Sequence, residues 1–110
     1  MIIKISMRGV RQMINYLLDL GLSQEELYDI KEELNEEIYT ALELSRSVVK
    51  ETLTYYKELG VNNLFNIIIK RPDLVLIKKE DVEASISKID KNLFVNLVNN
   101  NIEDLMLFGI

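Results

Sequence analysis

Helix start and stop signals punctuate the N-terminal half of this chain, and they constrain its fold more than any other feature. Ser6 can cap a helix of about 7–20, in which Val10, Met13, Ile14, Leu17 and Leu18 recur at helical spacing and which Gly21 ends. Ser23 followed by Glu26 has the capping-box pattern and predicts a second helix over 24–34, with Leu27, Ile30 and Leu34 inward. Asn35 predicts a third over 36–44, with Ile38, Ala41 and Leu42 inward. Ser45 is the expected cap of a fourth over 46–59, with Val49, Thr52, Leu53, Tyr56 and Leu59 on one face and Gly60 as its stop. One unbroken helix from 35 to 59 is the alternative, because nothing between Glu43 and Arg46 forbids helix.

The character changes at Val61. Phe65–Lys70 and Val75–Lys78 are rich in β-branched residues, which favour strands. Between them Pro72 and Asp73 suit the second and third positions of a turn. The expectation is a β-hairpin within 64–79, to which Met1–Ile5 can add a third strand. A helix of about 63–70, stopped before Pro72, competes with it. Beyond the hairpin, helices are expected at about 80–89 and 92–99, with Asn101 and Asp104 capping a last turn. Leu93, Phe94, Leu97, Val98, Ile102, Leu105, Met106 and Phe108 make this tail apolar. It either packs over its own core or forms a homodimer through 80–110. The chain reads as α+β, mostly helical, in a single domain over 1–110, with a core at 7–79 and a helical extension at 80–110.

Composition removes most catalytic chemistry. The 110 residues include no cysteine and no histidine. Disulfides, thiol catalysis and zinc on sulfur are excluded, as are the usual general base and the Glu-x-x-His metal motif. The glycines are isolated, so no phosphate-cradling glycine loop exists. Glu32/Glu33 and Glu36/Glu37 are sequence-adjacent pairs, which point to different sides of a helix and make no acid–base dyad. An oxygen-ligand metal site from Glu33, Glu36 and Glu37 is outweighed by a solvated surface, and Tyr55/Tyr56 read as half core and half rim. The expectation is a protein that is not an enzyme and needs no cofactor. No apolar run approaches the roughly 20 residues of a membrane span, and Met1–Ile5 is too short for a signal-peptide core, so a soluble cytoplasmic protein is expected. Abundant isoleucine, lysine and asparagine suggest an AT-rich coding sequence, of a microbe or of a virus or plasmid within one.

Charge is unevenly placed. Thirteen basic against eighteen acidic residues give −5. Residues 23–45 carry Glu25, Glu26, Asp29, Glu32, Glu33, Glu36, Glu37 and Glu43 against Lys31 alone, while Arg46, Lys50, Lys57, Lys70, Arg71, Lys78 and Lys79 concentrate in 46–79. The net charge argues against strong non-specific DNA binding, but the distribution permits a local basic face.

Residues 37–61 resemble a helix-turn-helix. Ile38, Leu42, Leu44, Val49 and Leu53 occupy its apolar positions, Ser45-Arg46-Ser47 opens its second helix, and Leu59-Gly60 closes it. Tyr39 stands where that family favours a small residue, and Glu43 where it favours glycine. With the hairpin, the resemblance extends to the winged helix-turn-helix DNA-binding family. It implies a small transcriptional regulator or accessory factor that places helix 46–59 in the major groove of double-stranded DNA. Arg46, Ser47, Lys50 and Thr54 would meet base edges and phosphates, Lys70 and Arg71 would contact the backbone from the wing, and Lys57 would lie at the rim. An acidic interaction module or nucleic-acid mimic using 25–43 is the rival reading.

A second resemblance covers a different pattern. Leu17-Leu18-Asp19-Leu20-Gly21-Leu22 and Tyr56-Lys57-Glu58-Leu59-Gly60-Val61 are copies, and Ile67-Ile68-Ile69-Lys70-Arg71-Pro72 and Leu74 follow the second. This resembles one repeat of the mitochondrial-transcription-terminator type, an all-helical nucleic-acid-binding array. The first copy lacks the matching proline, and such arrays usually need three or more repeats.

Overall fold

The computed structural model describes residues 14–110. Among these run η1 (Asn15–Leu20), α1 (Gln24–Glu33), α2 (Glu36–Leu44), α3 (Arg46–Leu59), α4 (Leu64–Lys70), η2 (Pro72–Leu74), α5 (Lys79–Ile86), α6 (Lys91–Asn100) and η3 (Ile102–Phe108), where η denotes a 3-10 helix. No strand occurs among the described residues, which are all-α. The α+β class is overturned, and with it the winged helix-turn-helix architecture. The strand expected at Met1–Ile5 and the start of the helix expected from 7 lie outside the described residues.

The expected hairpin is replaced by α4 and η2 for physical reasons. Leu64, Ile67 and Ile68 recur at helical spacing and all three are buried. The Asn63 side chain accepts from the Asn66 N–H at 3.0 Å and caps the helix. Arg71, forced out of the helical region by the proline that follows, sits at φ −138°, ψ 65°. Pro72 then opens a 3-10 turn, where its missing N–H is not needed. Burial on both sides of a continuous apolar run overrides the strand preference of isoleucine.

Upstream, the helix boundaries follow the sequence closely. The capping box is present, with Ser23 Oγ accepting from Glu26 N at 3.1 Å and Glu26 Oε1 from Ser23 N at 2.9 Å. Ser45 breaks 35–59 in two at φ −103°, ψ 32°. It does so without a side-chain cap, which corrects the expected role of its hydroxyl. The break is held from elsewhere: the buried Tyr16 hydroxyl donates to the Leu42 carbonyl at 2.8 Å.

The helices stack in two rows. η1, α3 and α5 follow one another along the first; α1, α4 and η3 follow along the second, with α6 against η3. Pairs η1–α1 and α3–α4 join the rows, and α2 leads from α1 into α3. The turns linking the rows at Gly21 and Gly60 are alike. Leu22 N donates to Leu17 O at 3.3 Å and Val61 N to Tyr56 O at 3.0 Å, around glycines at φ 101° and 113°. Arg71 and Asn101, each ending an α-helix and opening a 3-10 turn, share a conformation, the latter at φ −148°, ψ 66°. Along the described chain, η1–α1, α3–α4 and α5–α6 follow one another as helix pairs. In α6 and η3, Phe94, Val98, Ile102 and Leu105 are buried, while Leu93, Met106, Leu107 and Phe108 stay exposed.

Tyr56 is fully buried and its hydroxyl donates to the Leu74 carbonyl at 2.6 Å. Tyr56→Phe leaves that carbonyl without a donor and is expected to cost about 1–3 kcal/mol, read by urea denaturation. Gly60→Ala places a side chain in the left-handed region and is expected to cost about 1–2 kcal/mol in the same assay.

Candidate nucleic-acid interface

The exposed side of α3 forms the floor of an open groove. Arg46, Lys50, Thr54 and Glu58 lie at four-residue spacing along it, with Ser47, Glu51 and Tyr55 beside them. Lys79, the first residue of α5, completes the lining, and the groove encloses about 550 Å³. Four of the residues expected to bind DNA, Arg46, Ser47, Lys50 and Thr54, therefore share one site. The Thr54 hydroxyl donates back to the Lys50 carbonyl at 2.7 Å, which fixes its rotamer.

The other three are placed elsewhere. Lys57 turns toward η1 and donates from Nζ to the Leu20 carbonyl at 3.4 Å. Lys70 faces Glu103 of η3 at 3.7 Å. Arg71 is a structural residue. Its guanidinium holds Asp73 through two bonds of 3.0 and 2.9 Å and also donates to the Ile110 carbonyl oxygen. The pairing drives the Asp73 carboxyl below its usual pKa, mainly through the hydrogen bond from Arg71. The wing contact expected of Lys70 and Arg71 has no hairpin to carry it.

Sequence reasoning passed over the feature that organises the groove. Arg46 lies over the Tyr16 ring and Lys79 over the Tyr55 ring, each cation 5.7 Å from the ring centroid. The two pairs are equivalent. Tyr16 and Tyr55 each precede a row-linking glycine, Gly21 or Gly60, by the same interval. Arg46 and Lys79 each open the next helix of the first row. The signal was present in the duplicated segments 17–22 and 56–61, extended one residue toward the N-terminus.

Burial sets the protonation of both stations. It pushes the Tyr16 phenol well above its ordinary pKa, against the pull of Arg46, so the ring stays neutral beneath a permanent cation. Tyr55 is raised by burial and by Glu83. Tyr55 is 7% exposed, and its hydroxyl has no hydrogen-bond partner among the described residues.

With the fold and the groove defined, the chain can be compared with known proteins. No family model, curated protein or solved structure matches it. Among the described residues no three carboxylates converge as metal ligands, and no helix is long and apolar enough to cross a membrane.

Glu43 lies beside the first station. It is 6% exposed, and its Oε2 has no hydrogen-bond partner among the described residues. Burial raises its pKa, with Lys31 pulling it back. A raised folded pKa favours the fold below the usual carboxylate value, and that contribution is lost as pH rises through the folded pKa. Glu43→Gln is therefore expected to raise the urea midpoint at neutral pH, with the gain shrinking on acidification toward the ordinary glutamate pKa. An unchanged midpoint at both pH values would contradict this.

Proposed function

We propose that this chain is a helical-repeat nucleic-acid-binding protein that holds a phosphodiester backbone in the groove between α3 and α5. The observation that carries the reading is the repeated cation-on-tyrosine station, Arg46 on Tyr16 and Lys79 on Tyr55, with Lys50 in the same groove. Stacked units that each present a cation at the same place form a periodic row of positive charge, which suits a polymer with periodic negative charge. The repeat resemblance of residues 56–74 supports the same class. The role differs from the one implied by the helix-turn-helix resemblance: contact is to backbone, not to base edges in a major groove.

The net charge of −5 makes long-range attraction weak, so affinity rests on the local cations. Arg46→Ala and Lys79→Ala are each expected to weaken binding to all sequences alike and to flatten the dependence of log K on log salt by about 0.7–0.9. Lys91→Ala, outside the groove, is expected to bind like the parent apart from a small general charge effect. A gel shift across a salt series measures all three. Equal binding by all three variants would place the contact elsewhere.

A second reading is favoured by one observation. Glu25, Asp29, Glu32, Glu33, Glu36 and Glu37 are all exposed on α1 and α2, with Lys31 as the sole cation of those helices. This surface fits a basic polypeptide. Polylysine binding that survives loss of the groove cations would support it.

A further inference from the structure

We infer that the groove takes a single nucleic-acid strand rather than a duplex; this rests on the nucleic-acid reading above and deepens it. α3 is the middle member of its row, with η1 packed on one side and α5 on the other. Its exposed ridge of Arg46, Lys50 and Thr54 is therefore a floor, and Lys79 stands on the neighbouring helix. Reading a duplex through its major groove needs a helix that projects into a channel about 12 Å wide. A helix flanked on both sides does not project. A single strand needs only to lie along the floor.

The spacing of the cations agrees. From Arg46 to Tyr55 the α3 axis advances roughly 13 Å at helical rise, and Lys50 lies one turn in from Arg46. That is a line of contacts along one backbone, with Lys79 over its far end. The charge balance points the same way. Glu51 and Glu58 share the groove with the three cations. A duplex carries one charge per about 1.7 Å, twice the linear density of one strand, and its rigid phosphates cannot avoid those carboxylates. A flexible strand can set its phosphates against Arg46, Lys50 and Lys79 and pass Glu51 and Glu58 between them. The Tyr55 hydroxyl, buried beneath Lys79 without a partner, is a donor for a phosphate or sugar oxygen that draws Lys79 aside.

The test is fluorescence anisotropy with the full chain, using a mixed-sequence single-stranded oligodeoxynucleotide without self-complementarity and a duplex of the same sequence. At low salt the single strand is expected to bind at least about ten-fold tighter than the duplex. Three neutralised phosphates on a single strand predict a log–log salt slope near −2, and Lys50→Ala should reduce its magnitude by about 0.7. Lys50→Glu is expected to weaken the single strand more than ten-fold while its helical dichroism and melting stay at the parent's values, because Lys50 is exposed. Duplex bound as tightly as the single strand, or tighter, overturns this inference and leaves the nucleic-acid reading standing. Single-strand binding that Lys50→Glu leaves intact also overturns it, since the strand then lies outside the groove. Binding of neither probe at low salt overturns the nucleic-acid reading itself.

Discussion

The hydrogen bond from Tyr56 to the Leu74 carbonyl is the constraint from which the rest of the groove follows. α3 is the only described helix packed against η1, α2, α4 and α5, and Tyr56 lies at its buried centre with Phe94 5.9 Å from its ring. Its hydroxyl, at 2.6 Å from Leu74 O, satisfies a carbonyl at the end of η2 that the turn leaves free. One helical turn earlier, Thr52 donates to the Ile77 carbonyl at 2.7 Å. These two bonds lay the irregular segment after Pro72 along α3 and deliver Lys79 above the ring of Tyr55. Neither donor is exposed to water, so each bond acts where an unmade partner is costly. The same device recurs upstream, where Tyr16 takes the Leu42 carbonyl and so fixes the place where Arg46 begins the next helix.

This explains how much of the structure was legible in the sequence. Caps and stops act locally, and Ser23, Glu26, Asn35, Gly21 and Gly60 announce themselves within a few residues. The helices at 24–34, 36–44 and 46–59 were readable for that reason. The segment 64–79 was not. Its β-branched residues pointed to strands, but whether Ile67 and Ile68 serve a helix depends on what they bury against, and that is set by α3, α1 and η3. The site divides the same way. Arg46, Ser47, Lys50 and Thr54 share a face of one helix, so spacing placed them together. Lys79 joins them through contacts between helices, and Arg71 is withdrawn by Asp73 and Ile110. No pattern along the chain reports such long-range choices, although the two copies containing Gly21 and Gly60 carried the clue to equivalent tyrosines.

An acidic protein with a basic groove has a consistent electrostatic logic. The carboxylates of α1 and α2 gather before Ser45, with Lys31 their sole cation, and the groove cations lie after it. Screening over a Debye length of about 8–10 Å makes the cations of the groove the main charges that a phosphate placed there would meet. The acidic flank then raises the penalty for any polyanion broad enough to reach both surfaces. On the proposed reading, selectivity for a thin ligand would arise from repulsion at the edges as well as from attraction on the floor.

The two stations differ in their cation and in the engagement of their phenol. Arginine stacks its planar guanidinium on an aromatic face and keeps its donors in a fixed fork, whereas lysine is a hydrated point charge on a flexible stem. Arg46 on Tyr16 is thus a set anchor whose ring partner is closed off by its own hydrogen bond to Leu42. Lys79 on Tyr55 covers a ring whose hydroxyl is unengaged. Moving Lys79 toward a phosphate gives up a modest cation–π contact, about 0.5–1 kcal/mol at an exposed site, and gives the phenol access to an acceptor. On the proposed reading, the first station would hold its place and the second would respond to a bound strand.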